Sequence, residues 1–302
     1  MCQWSARSVL LFKSIYYFAM NSWFLYSIIA LTTFGGMQAL YKVPAAKGYN
    51  KFTYSALGFT MAAILSFIFF RGVISFNSHT MLFGLLWGVG NALYVLLTMT
   101  ILKKLDTSES FPITSLSSHV LVVTIGIFFF NDVLSAVQIF ALIGTFLLIG
   151  FYNHTKKHIT LSNGLIPLAT GIVLISTSIK FIQKSGAISS VTGDYIFWQL
   201  FFAMLASLFI LFITKNNQPI GRKIDRKLVL WSALIGTLTF VGTVAMVNAL
   251  SIGPFSLVYT INSFYILVSS IVAWKFFGEK LTRQKVLFIL LAIVVLVLIR
   301  LG

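Results

Sequence analysis

Charged residues are scarce in this sequence. They make up 9% of the 302 residues, whereas soluble domains carry roughly 25%, and only 6 of them are acidic. Apolar residues account for 58% of the chain, above the roughly 45–50% that is usual in soluble domains. This composition excludes an ordinary soluble domain and indicates an integral membrane protein.

Cysteine is almost absent. The single Cys2 excludes a disulfide framework and any cysteine-based metal or redox motif. The sequence also contains no Walker sequence, no glycine-rich phosphate loop, no haem or iron–sulfur motif and no metal-ligand cluster. We therefore expect no cofactor, and we expect neither an ATP-driven pump nor an enzyme.

Long apolar runs are what the sequence does contain. A bilayer core of about 30 Å needs about 20 apolar residues per helix. Ten such runs can be recognised, at residues 23–41, 52–70, 80–101, 111–130, 134–152, 163–182, 194–214, 228–249, 254–277 and 284–301. Because the runs are continuously apolar and not alternating, they predict an all-α membrane protein with ten transmembrane helices.

The basic residues lie mainly in the short connections between these runs. The net charge of +16 therefore indicates membrane topology and not nucleic acid binding. If the N-terminus of the first run is placed inside, 6 Lys and Arg residues lie on the cytoplasmic side and 16 lie outside. Because short cytoplasmic loops are normally the basic ones, the count predicts that both termini lie outside.

Residues 1–19 fit none of the runs. Arg7 and Lys13 bracket a short apolar segment, which is neither a spanning helix nor a signal peptide. Two interpretations stay open. Either residues 1–19 form a basic interfacial segment, or translation begins at Met20, and we favour the second.

The chain looks like one unit written twice, which is the sign of an internal repeat. Pro112 and Pro254 each begin an apolar helix, and each helix is followed by a short polar break that holds Asp132 or Glu279. Glu279 has basic neighbours, so we expect these acids to form ion pairs or helix caps rather than to carry protons.

The two units are predicted to have opposite orientations in the membrane. Five runs precede the link at residues 153–162, and five follow it. Because an odd number of crossings separates the two starts, the second unit begins on the other side. We expect two inverted five-helix repeats, residues 20–160 and 161–302, around a central cavity.

One motif resembles a known family. Residues 277–282, FGEKLT, and the apolar run after them resemble the end-of-repeat signature of the drug/metabolite transporter superfamily, EamA type. The first copy departs from that signature, because Asn131 and Asp132 stand where a Gly-Glu pair is typical. The resemblance covers about residues 20–302.

The resemblance implies a basket-like bundle with a central cavity lined mainly by spans 1, 3, 4, 6, 8 and 9. Spans 5 and 10 would be peripheral, and transport would proceed by alternating access without ATP. In well-known eukaryotic relatives of this type both termini face the cytosol, which conflicts with the count of basic residues.

Polar residues inside apolar runs are costly in lipid and usually face protein or a cavity. In the third run, Trp87, Asn91 and Tyr94 are spaced at i, i+4 and i+7, which is one face of a helix. This face is either a cavity wall or an interhelical packing surface. Nearby, Gly84 and Gly88 are spaced for close helix contact.

The fourth run places Ser115, Ser118 and His119 at i, i+3 and i+4. Histidine is the embedded side chain that titrates near neutral pH, so His119 could carry a coupling proton or bind an anionic group. The alternative is a neutral imidazole that is hydrogen-bonded to an adjacent helix.

The ninth run holds Tyr259, Asn262 and Ser263 in the position equivalent to that serine–histidine face. Aromatic and amide groups near mid-span suit a polar, partly apolar metabolite. Interhelical hydrogen bonding is again the alternative. Gln38 in the first run is a weaker candidate for the same cavity.

Two residues near run ends have simpler interpretations. Lys180 lies one turn from the end of the sixth run, so we expect its ammonium to extend to the lipid headgroups. The alternative is a cation that faces the cavity and favours an anionic substrate. Trp198 lies near the start of the seventh run and is expected in the interfacial aromatic belt.

No carboxylate lies in the middle of an apolar run. The acidic residues all fall at or near run ends: Asp106, Glu109, Asp132, Asp194, Asp225 and Glu279. Exporters of hydrophobic cations commonly need an embedded acid, because an unpaired cation in lipid is expensive. The sequence therefore disfavours a cation-drug exporter and favours a neutral or zwitterionic solute, or an anion.

Together these features predict an ATP-independent secondary transporter of a small polar metabolite, in first place an amino acid or a related neutral or zwitterionic solute. The alternative is a transporter of anionic metabolites, such as sugar phosphates or nucleotide sugars, that uses Lys180 and His119. A different class also stays open, namely a lipid-linked-sugar flippase or a membrane scaffold without transport.

The expected partners are the solute, the lipid bilayer and a coupling proton or counter-solute. No nucleic acid is expected, and the choice between a monomer and a homodimer is open. The expected location is the cytoplasmic membrane of a bacterium or an archaeon, with the chain as a multi-pass protein.

Overall fold

The described part of the chain is all-helical. A computed structural model describes the backbone of residues 6–101, 107–154, 165–214, 225–278 and 283–302, and the side chains of residues 22–101, 118–148, 167–214, 225–278 and 286–302. The helices in these ranges are α1 (Ala6–Leu40), α2 (Val43–Lys47), α3 (Lys51–Phe70), α4 (Ser78–Ile101), α5 (Thr107–Phe129), α6 (Ala136–His154), α7 (Leu165–Ser189), α8 (Thr192–Thr214), α9 (Arg226–Ile252), α10 (Phe255–Ser263), α11 (Tyr265–Phe277) and α12 (Arg283–Leu301).

Several of these helices have the length and composition of membrane spans. In the described ranges, 6 segments are long and apolar enough to cross a bilayer: Ser22–Lys47, Lys51–Phe70, Ser78–Ile101, Thr192–Thr214, Arg226–Ile252 and Phe255–Phe277. Ser118–Phe129, Ala136–Leu148 and Val286–Leu301 are apolar but shorter. Large side chains such as Phe76 (84% exposed) and Phe212 (78% exposed) cover the outside, which suits contact with lipid.

The helices coincide with the predicted apolar runs, and the first run continues back to Ala6 within α1. The backbone of residues 6–19 is therefore helical. Whether residues 1–19 form an interfacial segment or precede the start of translation stays a prediction.

The ninth run differs from the prediction, because it is broken into α10 and α11 at Phe264. The N–H of Phe264 donates to the carbonyl of Ile261 at 3.1 Å, which is three residues back instead of the four of an α-helix. The hydroxyl of Ser263 donates to the carbonyl of Thr260 at 2.7 Å. Such local bonds compete with the helical ladder, so the helix ends here and restarts.

The two halves of the chain interleave. α1 packs on α9 and α11, α3 packs on α8 and α9, and α4 packs on α7 and α8. α5 packs on α7 and α10, and α6 packs on α12. Each of these first-half helices therefore has its main packing partners in the second half, and neither half forms a core alone.

Glycines allow two of these helix pairs to approach closely. A Cβ atom added to Gly88 of α4 would lie 2.6 Å from the backbone N of Ala203 in α8, and one added to Gly84 would lie 2.7 Å from the Cβ of Trp198. α3 and α9 meet in a similar way, because a Cβ on Gly236 would clash with the carbonyl O of Gly58. The predicted glycine contact of α4 is therefore confirmed.

The corner between α9 and α10 is capped by an acid from the first half. Pro254, the N-cap residue of α10, makes no side-chain cap bond. Instead, the N–H groups of Phe255 and Ser256 donate to the carboxylate of Asp132 at 3.1 and 2.7 Å. The expectation of a cap is confirmed for Asp132, which follows Asn131 with its positive φ of 52°. Glu279 lies outside the described residues.

Lys184 of α7 binds the other side of the same corner. Its ammonium donates to the carbonyls of Leu250 at 2.6 Å and Gly253 at 3.0 Å, and it lies 5.9 Å from the ring centroid of Phe130. A cation at the end of α9 and an anion at the start of α10 both match the helix dipoles.

We predict that Asp132→Ala lowers the stability of the protein. Loss of the carboxylate leaves two buried N–H groups of α10 without an acceptor, at a cost of about 1–2 kcal/mol. Asp132→Asn keeps one acceptor and should cost less. The measurement is the thermal unfolding midpoint in detergent, with Val133→Ala as the control, because Val133 is 90% exposed. Equal midpoints for Asp132→Ala and the control would contradict this role.

We also predict that Gly88→Ala destabilises the contact between α4 and α8. The added methyl group overlaps the backbone of α8, and overpacking of this kind costs about 1–3 kcal/mol. Gly171→Ala in α7 is the matched control, because a Cβ there meets no atom within 4 Å. Since alanine is the better helix former, the control should keep or raise the unfolding midpoint, and a drop in both variants would oppose the argument.

Candidate functional site

A central cavity lies where the two halves meet. Its volume is about 120 Å³, and its lining comes from α1, α4, α5, α7, α9, α10 and α11. These helices correspond to runs 1, 3, 4, 6, 8 and 9, which are the spans that the family resemblance assigns to the cavity wall. No described residue of α6 or α12 lines it, and these two helices pack on each other.

Most of the residues singled out in the sequence meet around this cavity. The structure places ten of the eleven candidates on its wall: Gln38, Trp87, Asn91, Tyr94, Ser118, His119, Lys180, Tyr259, Asn262 and Ser263. The side chain of Ser115 lies outside the described residues. The candidates therefore share one location, while their role in binding a solute stays a prediction.

α4 presents two different faces. Trp87, Asn91 and Tyr94 face the cavity, whereas Gly84 and Gly88 pack against α8. Of the two interpretations of the aromatic and amide stripe, the geometry favours the cavity wall, because the packing surface of this helix is made by its glycines.

Lys180 faces the cavity, so the expectation that it extends to the headgroups is wrong. α7 continues to Ser189, which puts Lys180 about two and a half turns before the helix end. Its ammonium donates to the Ser118 hydroxyl at 2.6 Å and lies 5.5 Å from the ring centroid of Tyr259. The predicted apolar run ends at residue 182, well before the helix does. The end of the run therefore did not show that Lys180 lies deep in the protein.

Trp198 also differs from its expected place. It is buried, with 5% of its surface exposed, and its ring N–H donates to the carbonyl of Ser75 at 2.8 Å. Phe76 and Phe202 pack against its ring. Trp198 therefore joins the start of α8 to the loop between α3 and α4, and it is not part of a lipid-facing belt.

His119 joins α5 to α10. Its Nε2 lies 3.3 Å from the hydroxyl oxygen of Thr260, and that hydroxyl donates its proton to the carbonyl of Ser256 at 2.6 Å. The imidazole must therefore supply the proton of the longer bond from Nε2. This geometry matches the interhelical alternative, although the ring also lines the cavity. A role in proton coupling or anion binding stays a prediction.

Gln183 and Ser176 are cavity residues that the sequence analysis missed. The hydroxyl of Tyr259 donates to Oε1 of Gln183 at 2.9 Å, and the hydroxyl of Ser176 lies 3.5 Å from that of Ser118. Ser176, Lys180 and Gln183 are spaced at i, i+4 and i+7, the same signal that identified the polar stripe on α4.

Some polar atoms of the cavity wall have no hydrogen-bond partner among the described residues. They include the acceptors Gln38 Oε1 and Asn262 Oδ1 and the donors Trp87 Nε1 and Gln183 Nε2. A buried polar group without a partner costs about 1–3 kcal/mol, and such groups at a cavity are suited to a bound solute or water. Asn262 lies just before the break at Phe264. Breaks of this kind in transmembrane helices are typical of substrate sites in transporters.

The described residues offer no metal centre. No three His, Cys, Asp or Glu side chains come together in these ranges as ligands for an ion. The chemistry available at the cavity is therefore hydrogen bonding from amides and hydroxyls, contact with aromatic rings and the charge of Lys180.

Comparison with known proteins bears on this architecture. Residues 162–301 match the EamA-like transporter family. The second half of the chain is therefore similar to this family. Members of the EamA-like family are transporters, and a cavity inside a bundle of apolar helices agrees with this similarity.

The fold of this EamA-like chain is also found in a solved structure. A protein of known crystal structure superposes on 90% of this chain and 96% of its own, with a TM-score of 0.69 and 14% sequence identity. At this identity the likeness shows the fold alone. A comparison with curated proteins gives no match.

We predict that the cavity of this EamA-like protein is accessible to water-soluble reagents. With Cys2→Ser as background, which removes the single cysteine, Asn262→Cys should react with a hydrophilic maleimide. Phe212→Cys is the control, because its side chain is 78% exposed on an apolar surface where a thiolate does not form. We expect a rate difference of at least about tenfold, measured by mass spectrometry. Equal rates would argue that the cavity is dry.

Proposed function

We propose that the protein is a ten-span, ATP-independent secondary transporter that carries a small polar solute through the central cavity by alternating access. The observation that supports this most is the cavity itself, which both halves of the chain line with polar side chains. Sites at the interface of two repeats, near mid-membrane, are typical of secondary transporters.

The pattern of helix packing supports two inverted five-span repeats. In the two repeats, α1, α3 and α4 correspond to α7, α8 and α9. The packing pair α4–α8 therefore corresponds to the pair α9–α3, and the pair α1–α9 corresponds to the pair α7–α4. α5 corresponds to the ninth run, which is α10 and α11, so the pair α5–α7 corresponds to the pair α11–α1. A two-fold relation of this kind lets the cavity open to either side by equivalent movements, with the repeats taken as residues 20–160 and 161–302.

The size and lining of the cavity favour an amino acid or a related zwitterionic or neutral solute. A volume of about 120 Å³ corresponds to on the order of ten water positions, which suits a solute of similar atom count. The wall offers amides, hydroxyls and rings, such as Asn91, Ser263 and Tyr94, and these bind polar groups.

A specific observation favours a second candidate, a transporter of small anions such as sugar phosphates. Lys180 lines the cavity, and no Asp or Glu is found with it among the described lining residues. A negative group on the solute would compensate the charge of this lysine.

A thermal-unfolding screen tests the proposed function. Detergent-purified protein is heated with amino acids, sugar phosphates, nucleotide sugars and quaternary cations. A true ligand at about 100 times its Kd stabilises by roughly 2.7 kcal/mol, and we expect amino acids or related solutes to raise the midpoint. Ligands that do so should then enter proteoliposomes without ATP.

Matched variants make this screen specific. Asn262→Ala removes a cavity amide and should reduce the ligand-induced shift, whereas Leu147→Ala changes a side chain that is 68% exposed and should keep it. Stabilisation by anions alone would support the second candidate. Activity only on lipid-linked sugars, with silence across the panel, would replace transport of soluble solutes by lipid handling.

A further inference from the structure

The charged side chains that line the cavity are of one sign, which is positive. Among the described lining residues, Lys180 is the single Lys, Arg, Asp or Glu. The described carboxylates lie elsewhere: Asp132 caps α10, Asp194 binds Ser75 and Asp225 caps α9. The cavity therefore presents one ammonium in a protein interior where an uncompensated charge is expensive.

We propose that Lys180 and Ser118 form the subsite for a carboxylate of the transported solute. This inference rests on the proposed function and specifies the chemical group that the site recognises. The carboxylate is common to amino acids and to organic acids such as hydroxy acids, so the proposal covers both sources.

The hydrogen bonds of Lys180 and Ser118 leave N–H and O–H donors for a carboxylate. The ammonium of Lys180 has three N–H donors, and one of them points to the Ser118 hydroxyl at 2.6 Å. The Thr177 hydroxyl donates its proton to the carbonyl of Val173 at 2.8 Å, and its oxygen lies 3.4 Å from the same Ser118 oxygen. Because Ser118 accepts from the ammonium of Lys180, its own proton is left to donate. One lysine N–H and one serine O–H can thus meet the two oxygens of a carboxylate.

Charge balance favours a carboxylate over a phosphate. A carboxylate carries one negative charge, which matches the one ammonium of Lys180. A phosphate monoester carries about −1.5 to −2 at neutral pH, and it would leave an excess negative charge in the cavity. Phosphate is commonly bound by Arg or by several cations, and the described lining holds no Arg.

The remaining wall can hold the rest of the solute. Gln38 and Asn262 each have a buried side-chain oxygen without a partner among the described residues. Such oxygens accept hydrogen bonds from an ammonium or a hydroxyl group, and the rings of Trp87 and Tyr265 line the same space. The solute would therefore bind in one orientation, with its carboxylate toward Lys180 and its amino or hydroxyl group toward these amides.

The experiment compares solutes that share a side chain and differ in the head group. The probes are alanine, serine and phenylalanine, each with its hydroxy acid, its amide and its decarboxylated amine, and they are titrated calorimetrically into the purified full chain. We expect the wild type to prefer both acids over the amide and the amine. Lys180→Gln should weaken the binding of the acids by about tenfold or more and leave the amides unchanged, whereas Lys180→Arg should keep the preference.

Lys184→Gln is the matched control, because Lys184 lies one turn further along α7 and binds backbone carbonyls outside the cavity. This variant should unfold at a lower temperature and keep the preference for acids. If amides or amines bind the wild type as tightly as the acids, or if Lys180→Gln keeps the preference, the carboxylate subsite is wrong although transport itself stands. If no probe of any head group binds, the proposal of an amino acid or a related solute fails, and this inference fails with it.

Discussion

The geometry of the cavity depends on the capping of α10 by Asp132. The first amides of α10 belong to Phe255 and Ser256, which are fully buried, and buried N–H groups need an acceptor. That acceptor comes from the break between α5 and α6, in the other half of the chain. Tyr259 and Asn262 stand on the same short helix, so their positions follow from a contact that exists only when both halves are assembled.

Two sets of polar groups lie around the cavity. The first set joins helices: Lys180 of α7 bonds Ser118 of α5, and His119 of α5 meets Thr260 of α10. Both contacts connect the two halves of the chain. The second set, such as Gln38 Oε1 and Asn262 Oδ1, has no partner among the described residues and faces the cavity. Lipid offers no hydrogen bonds, so polar groups in the protein have to face one another or the cavity. The protein can therefore hold a polar cavity although its outer surface is apolar.

Much of the site could be predicted from helical spacing, but depth could not. The stripe of Trp87, Asn91 and Tyr94 was found because polar and aromatic residues at i, i+4 and i+7 must share a face. Lys180 was misplaced because an apolar run shows where hydrophobicity ends and not where the helix ends. The break at Phe264 was missed for a related reason, since an aromatic residue in an apolar run gives no local signal. The contact between Asp132 and α10 is a long-range contact, which a sequence pattern does not specify.

The interruption at Phe264 divides the ninth run into parts with different attachments. α10 is capped by Asp132 and packs on α5 and α1, whereas α11 packs mainly on α1 and is followed by Gly278, whose φ of 69° suits glycine. Where the i to i−4 ladder is already broken, bending costs no further hydrogen bond of that ladder. Bending at Phe264, beside Asn262, would therefore change the shape of the cavity wall at the point where a solute would rest.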